Sequence, residues 1–296
     1  PESIPRTSKH CKGGTKHPQC AKSTEQKRET SRPKKSAPAS MAKPLSAKQE
    51  LLAWHLRLGH VPFDAPVRAA KAGLTPKTII TDDFPKCPAC MHGRATRKRW
   101  RSRVQPDKLR TATRPGEIVS VDQMISSAPG FVSQDGGKLT RRRHCVATVF
   151  VDHFSRLSCV HVHESTDGED AVKAKQAFER CALAQGVVIN HCHADNGVFK
   201  CDEFMEELRA NRQTITFCGV GAHHQNGVAE RHIRELTESA RTQPVHARHH
   251  DPKMVSIHLW PHALRHASHL HNSLPRASQS LSPFARFSKS PTHPNL

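Results

Sequence analysis

Apolar residues begin to follow regular spacings only after residue 46. The run SAKQELLAWHLRLGH predicts a helix, with Ser46 as its N-cap and Gly59 as a stop signal. The run PVRAAKAGL predicts a second helix that ends at Gly73. Residues 1–46 are rich in Lys, Arg, Ser, Thr and Pro and carry almost no periodic apolar positions. We therefore expect a disordered basic segment there.

Residues 117–243 alternate between strand and helix patterns. A capping box of Thr166 and Glu169 predicts the start of one helix, and DEFMEELRA and NGVAERHIRELTESAR predict two more. This order predicts an α/β fold, with a mixed sheet flanked by helices. The predicted strands lie near 118–122, 146–151, 158–163, 187–192 and 214–218.

These patterns divide the chain into five segments. The Ser/Pro-rich end has no recognisable stop, and the chain starts at Pro1 rather than Met. We interpret the sequence as a fragment or a processed piece of a longer chain, truncated at its C-terminal end. The segments are a disordered basic segment (1–46), a small helical module (47–100), a basic linker (101–116), an α/β core (117–243) and a helical or irregular extension (244–296).

Positive charge dominates the composition. The chain has 46 Lys and Arg against 26 Asp and Glu, a formal net charge of +20, and 35% hydrophobic residues. A polyanion is the expected partner, and nucleic acid fits better than a membrane surface. No apolar run approaches the roughly 18 residues of a membrane span, and no signal peptide is visible. The ten cysteines are scattered, which predicts a reducing, intracellular compartment.

Two basic runs are candidates for contacts with DNA phosphates. A solvated charged surface or a nuclear-import signal is the alternative for both runs. The candidate residues are Arg97, Lys98, Arg99 and Arg101 in RATRKRWRSR, and Arg141, Arg142 and Arg143 in KLTRRRH.

A second candidate site combines two histidines with a C-x-x-C pair. His55, His60, Cys87 and Cys90 supply the four N and S ligands of a structural zinc site. Two residues five apart on a helix point about 140° apart, so both histidines reach one ion only if the helix ends between them. Gly59 is placed to end it. The alternative is that they are ordinary histidines in a chain with 23 of them.

Three acids form the third candidate site. Asp122 and Asp195 each follow an apolar strand pattern, and Glu230 lies on a predicted helix. Two Mg²⁺ or Mn²⁺ ions need shared carboxylate ligands, and such a pair can activate a hydroxyl and stabilise the leaving oxygen of a phosphodiester. Asn196 and Asn226 are expected nearby, as positioning or DNA-contacting groups. Each acid taken alone is more typical of a solvated surface.

At these residues the chain resembles the integrases of copia-type retrotransposons. WHLRLGH with CPACMHGR resembles the pre-integrase zinc module of that family. EIVSVDQM, VDHFSRL, HADNGVF and HQNGVAERHIREL resemble its catalytic core, in the same order. LWPHALRHASHLHNSLPR and SPFARF resemble the segment that follows the core, so the match covers about residues 47–290.

The resemblance implies a ribonuclease H-like fold for residues 117–243 and a DDE triad of Asp122, Asp195 and Glu230. It implies catalytic Mg²⁺ or Mn²⁺, structural Zn²⁺, 3′-end processing, and strand transfer of element cDNA into host DNA. It also implies a homo-oligomer on paired DNA ends that acts in the nucleus, with a stage in a cytoplasmic particle.

Two other interpretations stay open. One is an inactive integrase remnant that only binds nucleic acid, which is favoured by GAHH where the family carries a Thr-Pro-like turn. The other is a different ribonuclease H-like nuclease or a DNA transposase. The zinc module together with the NGVAER helix argues against that second alternative.

Overall fold

The computed structural model describes residues 45–94, 111–133, 140–219, 226–253, 255–276 and 279–290. The predictions for residues 1–44, and for Arg97, Lys98, Arg99 and Arg101, lie outside the described residues. None of the helices in the described ranges has both the length and the apolar character that crossing a membrane requires.

Three short helices form the first part of the described chain: α1 (Ala47–Arg57), α2 (Asp64–Lys71) and α3 (Pro88–Gly93). The predicted N-cap is confirmed, because the Ser46 hydroxyl accepts from the backbone N–H of Gln49. The Gln49 side chain bonds back to the backbone N–H of Ser46, which completes a capping box.

Five strands form one mixed sheet: β1 (Val119–Phe131), β2 (Arg143–Asp152), β3 (Ser158–His163), β4 (His191–Ala194) and β5 (Thr214–Phe217). Their spatial order is β3-β2-β1-β4-β5. The first three strands are antiparallel, whereas β4 pairs parallel to β1 and β5 pairs parallel to β4.

Helices cover both faces of the sheet, and the apolar side chains pack in two layers between sheet and helices. On one face Phe150 and Val121 pack with α4 (Gly168–Ala184) and α5 (Asp202–Ala210). On the other face Val149 packs with α6 (Gly227–His250) and α7 (Trp260–Ser273). A short last helix, α8 (Pro283–Ser288), adds Phe287 to the first layer. The predicted ribonuclease H-like fold, with a small helical module ahead of the core, is confirmed.

The predicted number of strands, five, is confirmed, but the predicted bounds of two strands are wrong. Strand β1 continues well past residue 122, because after a register shift it still pairs with β2 and because Trp260 Nε1 donates to the Ala128 carbonyl at 2.8 Å. Strand β4 starts later than predicted. Before it, the Asn190 N–H donates to the Gly116 carbonyl at 2.9 Å, outside the sheet ladder.

The predicted capping box of Thr166 and Glu169 is wrong. Helix α4 has Asp167 as its N-cap, with no side-chain bond to the helix backbone. The nearby Ser165 hydroxyl instead donates to Asp170 at 2.8 Å, so an acid inside the first turn fixes the start of the helix. Helix α6 runs to His250, so the predicted core boundary at residue 243 falls inside it.

The small module packs against the C-terminal helices rather than standing apart. Leu58 and Val61 share one apolar cluster with Leu270 and Leu274, which lie on α7 and directly after it. Gly93 lies so close to α6 that an added Cβ would be 2.8 Å from the Cα of Thr242. The absence of a side chain at this position permits the close approach of α3 and α6.

Candidate metal centres

The four residues of the histidine–cysteine set come from three segments that meet at one point. His55 lies in the last turn of α1, and His60 follows after a left-handed turn in which Gly59 has φ 62° and His60 has φ 64°. Cys87 precedes α3, and Cys90 lies within it. Helix α1 therefore ends between the two histidines, which is the geometry that a shared ion requires.

The ligand atoms of this set all lie within 4.8 Å of one another. The separation of His60 Nδ1 and His55 Nε2 is 3.2 Å, and Cys90 Sγ lies 3.3 Å from His55 Nε2. Cys87 Sγ is 3.4 Å from His60 Nδ1. A tetrahedral zinc site with metal–ligand bonds of about 2.0–2.3 Å has ligand separations of roughly 3.3–3.8 Å. The residues present therefore fit a closed, structural zinc ion.

A backbone carbonyl fixes the orientation of one histidine. His55 Nδ1 donates to the Val61 carbonyl at 2.7 Å, which directs the lone pair of Nε2 towards the cysteines. This is the outer-shell contact that ligating histidines usually make. The ring of His60 packs edge-on against His246 of α6, with 4.6 Å between the ring centroids.

Burial controls the protonation of this set. It lowers the pKa of His55 and of His60 to about 4, so both rings are neutral and can offer a lone pair. Burial, and then the neighbouring Cys87, raise the pKa of Cys90 to about 11. Binding of a cation would therefore displace protons from the thiols.

The first two acids lie at neighbouring parallel strands: Asp122 lies in β1, and Asp195 directly follows β4. Val119 pairs with Cys192 and Ser120 with His193, and continuing this register by two residues places Asp122 beside Asp195. Adjacent strands are about 4.7–4.9 Å apart. Both acids are half-buried, and the Gly197 N–H donates to Asp195 Oδ1 at 3.1 Å.

The third acid comes from the first turns of α6. Asn226 is buried at the N-terminal end of this helix, and its Nδ2 donates to the Val121 carbonyl at 3.0 Å. This bond holds the helix against β1, immediately beside Asp122. Glu230, one turn further along, is half-buried. Of the two roles expected of Asn226, positioning agrees with its burial and DNA contact does not.

One thiol lies within electrostatic range of all three acids. Cys218 follows β5 and is buried, and its N–H donates to the Ala194 carbonyl at 3.0 Å. Burial raises the pKa of this thiol, and the carboxylates of Asp195, Glu230 and Asp122 raise it further. Together with the register of β1 and β4 and the bond of Asn226, this places three acids that are distant in sequence at one end of the sheet.

The acids are spaced more loosely than the zinc ligands. In the described part of the chain, they do not form a group as compact as the histidine–cysteine set. Mutual repulsion between like charges favours such spacing. The sequence patterns missed Cys218, because a lone cysteine after a short strand carries no signal of its neighbours. Asn196 is exposed, and its Nδ2 donates to the Cys218 carbonyl at the same end of the sheet.

The three arginines of KLTRRRH lie far from the acids. Arg143 pairs with Phe131 near the tip of the β1–β2 hairpin, nine residues along β1 from Asp122. At about 3.3 Å per residue this separation is roughly 30 Å. Arg142 contacts Glu164 at 3.5 Å, and Arg141 is exposed. A phosphate that they contact therefore lies roughly 30 Å from the acid site.

Neither the family models nor the curated protein sequences include a match to this chain. Among solved structures, a chain of a simian T-cell lymphotropic virus intasome in complex with PP2A regulatory subunit B56 gamma is 16% identical, with a TM-score of 0.47. That match covers 66% of this chain and 63% of the intasome chain.

Two catalytic core domains are also similar. The HTLV-2 integrase core, in complex with magnesium, is 18% identical with a TM-score of 0.41, and the match covers 59% of this chain and 98% of that one. The BIV integrase core is 18% identical with a TM-score of 0.40, covering 59% and 95%. The assignment of the fold rests on the order and direction of the five strands rather than on these similarities.

Proposed function

We propose that this chain is the integrase segment of a copia-type retrotransposon polyprotein, a DDE-type polynucleotidyl transferase that joins element cDNA to host DNA. The observation that carries the proposal is the position of Asp122, Asp195 and Glu230. They come from three separate segments: the register of β1 and β4 puts Asp122 beside Asp195, and the bond from Asn226 to Val121 holds the start of α6, with Glu230, beside β1. A fold gains no stability from gathering three acids, so a cation-binding role explains their position best.

In this proposal the carboxylates of Asp122 and Asp195 hold one divalent cation between two strands, and Glu230 completes the site from α6. Bound Mg²⁺ or Mn²⁺ would activate a water or 3′-hydroxyl and stabilise the leaving oxygen of the phosphodiester. The protein positions these groups. Asn226 fixes the start of α6 on β1 at 3.0 Å, and thereby sets the position of Glu230 relative to Asp122.

The histidine–cysteine set has a structural role in this proposal. His55, His60, Cys87 and Cys90 fit Zn²⁺ and leave no open ligand position. The ion would stabilise the short segments that pack against α6 and α7. The formal charge of +20 supports DNA as the partner. The resemblance to copia-type integrases implies a homo-oligomer on paired DNA ends and action in the nucleus, and both belong to this proposal.

A strand-transfer assay on short DNA ends, with Mg²⁺ and with Mn²⁺, tests the proposal. Glu230→Gln, Asp122→Asn and Asp195→Asn should each abolish product and leave DNA binding largely intact, because the basic residues remain. Glu238→Gln serves as the matched control, since it removes a half-buried acid about two turns further along the same helix.

Two outcomes would contradict the proposal. A folded wild-type chain that binds DNA and forms no product with either cation would support the inactive, DNA-binding remnant. Amide variants that lose DNA binding and catalysis together would mean that the acids stabilise the fold rather than serve the reaction.

A further inference from the structure

A cavity lies on the flank of α6 opposite to the acids. Its volume is about 340 Å³, and it is bounded by the β2–β3 turn, the first turns of α6 and the segment after α7. Arg156, Arg231 and Arg276 line it, together with His232 and Glu235. These arginines are far apart in sequence, and the fold brings them together.

The lining carries excess positive charge. Three guanidinium groups face one carboxylate, and that carboxylate, Glu235, contacts Arg276 at 3.4 Å. Among the described residues, neither Arg156 nor Arg231 forms an ion pair. Burial lowers the pKa of the Arg156 guanidinium, and the charges of Arg276 and Arg231 lower it further. Such a cluster is stabilised by an anion.

A buried imidazole adds a polar group to the lining. His232 is 4% exposed, and its Nε2 has no hydrogen-bond partner among the described residues. The ring packs edge-on against His271, with 4.2 Å between centroids. A buried polar atom without a partner costs free energy, so an oxyanion acceptor would satisfy it. The planar, forked guanidinium groups of the arginines can each donate two parallel hydrogen bonds to the oxygens of a phosphate.

The outer surface of α6 connects this cavity to the acid site. At 100° per residue, Glu230 and the cavity-lining His232 lie on opposite flanks of the stripe that packs on the sheet. The exposed arc between them carries Arg231 and Arg234, together with Glu235, which is paired with Arg276, and the half-buried Glu238. The width of a helix, about 10–12 Å, corresponds to roughly three nucleotides at 3.4 Å each.

We infer that the cavity of Arg156, Arg231 and Arg276 binds a backbone phosphate of a DNA strand that crosses the outer face of α6, about three nucleotides from the reactive bond. This inference rests on the proposed function, since it takes the acids to be the reaction centre. The cavity would fix the direction of the strand over the helix, and His232 would donate to the same phosphate.

The test measures DNA affinity by fluorescence anisotropy at several KCl concentrations, with the full chain and a short duplex. Arg156→Asn and Arg276→Gln should each reduce the slope of log affinity against log salt by about 0.7–0.9, the contribution of one phosphate. Asn suits position 156 because Arg156 has φ 66°, a region in which Asn is enriched. Arg156→Lys should retain the slope. Arg209→Gln on α5, which also removes one exposed charge, is the matched control.

Inorganic phosphate provides a second measurement that needs no DNA. Millimolar phosphate should raise the melting temperature of the wild type and of Arg209→Gln, and should raise that of Arg156→Asn and Arg276→Gln less. If the melting temperatures follow this pattern while the salt slopes of all variants stay equal, the cavity binds free phosphate and the DNA contact is refuted.

If neither the slopes nor the melting temperatures distinguish the cavity variants from Arg209→Gln, the site itself is refuted. A variant that does not fold, as judged by circular dichroism, is replaced by Arg231→Gln, which removes an exposed arginine of the same lining and should reduce the slope in the same way. Strand transfer separates this inference from the proposed function. If the wild type has no strand-transfer activity and the cavity variants still lose one phosphate contact, the proposed enzymatic function is refuted and the phosphate site stands.

Discussion

The free energy of unfolding of this protein should fall between pH 6.5 and pH 5, and His271 should account for about 2 kcal/mol of the loss. This residue lies in the last turn of α7, where its Nε2 is 3.2 Å from Arg276 Nη1. Burial, and then the charge of Arg276, lower its pKa to about 3, while a hydrogen bond to the Arg156 backbone partly opposes the shift. On the facing helix, the ring of His232 packs against it.

The direction of this pH dependence follows from the difference between the pKa of His271 in the folded state and its pKa in the unfolded state. In the unfolded chain a histidine has a pKa of about 6.5, so as the pH falls the unfolded state takes up the proton first. The contribution of His271 is complete above pH 6.5 and is lost between pH 6.5 and about pH 3. At pH 5 this proton uptake shifts the folding equilibrium toward the unfolded state by a factor of about 30 relative to high pH, which lowers the free energy of unfolding by about 2 kcal/mol.

Urea denaturation at pH 7 and at pH 5 measures this loss. We expect the free energy of unfolding of the wild type to fall by about 2 kcal/mol more than that of His271→Asn over this range. His269→Asn, which replaces an exposed histidine of the same helix, should behave like the wild type. If His271→Asn loses as much stability between the two pH values as the wild type does, the buried, neutral histidine is not the cause.

Three further predictions concern the small module. Adding Zn²⁺ to the metal-free protein should raise its melting temperature and release about two protons per chain, which a pH indicator measures. Cys90→Ser should release fewer protons in this assay, and no release from the wild type would argue against thiolate ligation. Gly93→Ala should cost about 1–3 kcal/mol in urea denaturation, because its Cβ would meet the Thr242 backbone at 2.8 Å; unchanged stability would mean that α3 moves freely on α6. Ser46→Ala should cost about 1 kcal/mol by loss of the N-cap, whereas Ser46→Asp should cost little, and equal losses would refute the cap.

The sequence predicts the elements whose causes are local. The end of α1 follows from the freedom of Gly59 at positive φ, and that turn lets His55 and His60 face one point. The five strands follow from their alternating or continuous apolar runs. The predicted capping box of Thr166 and Glu169 fails for a local reason too, because the helix starts one residue later, with Asp167 as its N-cap, and Ser165 bonds Asp170 of the first turn.

Other features depend on contacts that no local pattern contains. The second half of β1, SSAPGF, has no alternation of apolar and polar residues and becomes a strand through its pairing with β2 and its contact with Trp260. The cavity joins Arg156, Arg231 and Arg276, which belong to three segments, each of which looks like an ordinary charged surface. The position of Cys218 among the acids likewise depends on the sheet order.

The shared cluster of Leu58, Val61, Leu270 and Leu274 constrains how the chain can fold as it is made. The module is synthesised early, yet the side chains that cover its apolar face come about 210 residues later. At roughly 5–20 residues per second, ribosomes leave that face uncovered for about 10–40 s. Closing so long a loop is slow, and during this interval the face is open to aggregation or to chaperones. A chain that stops before α7 never covers it.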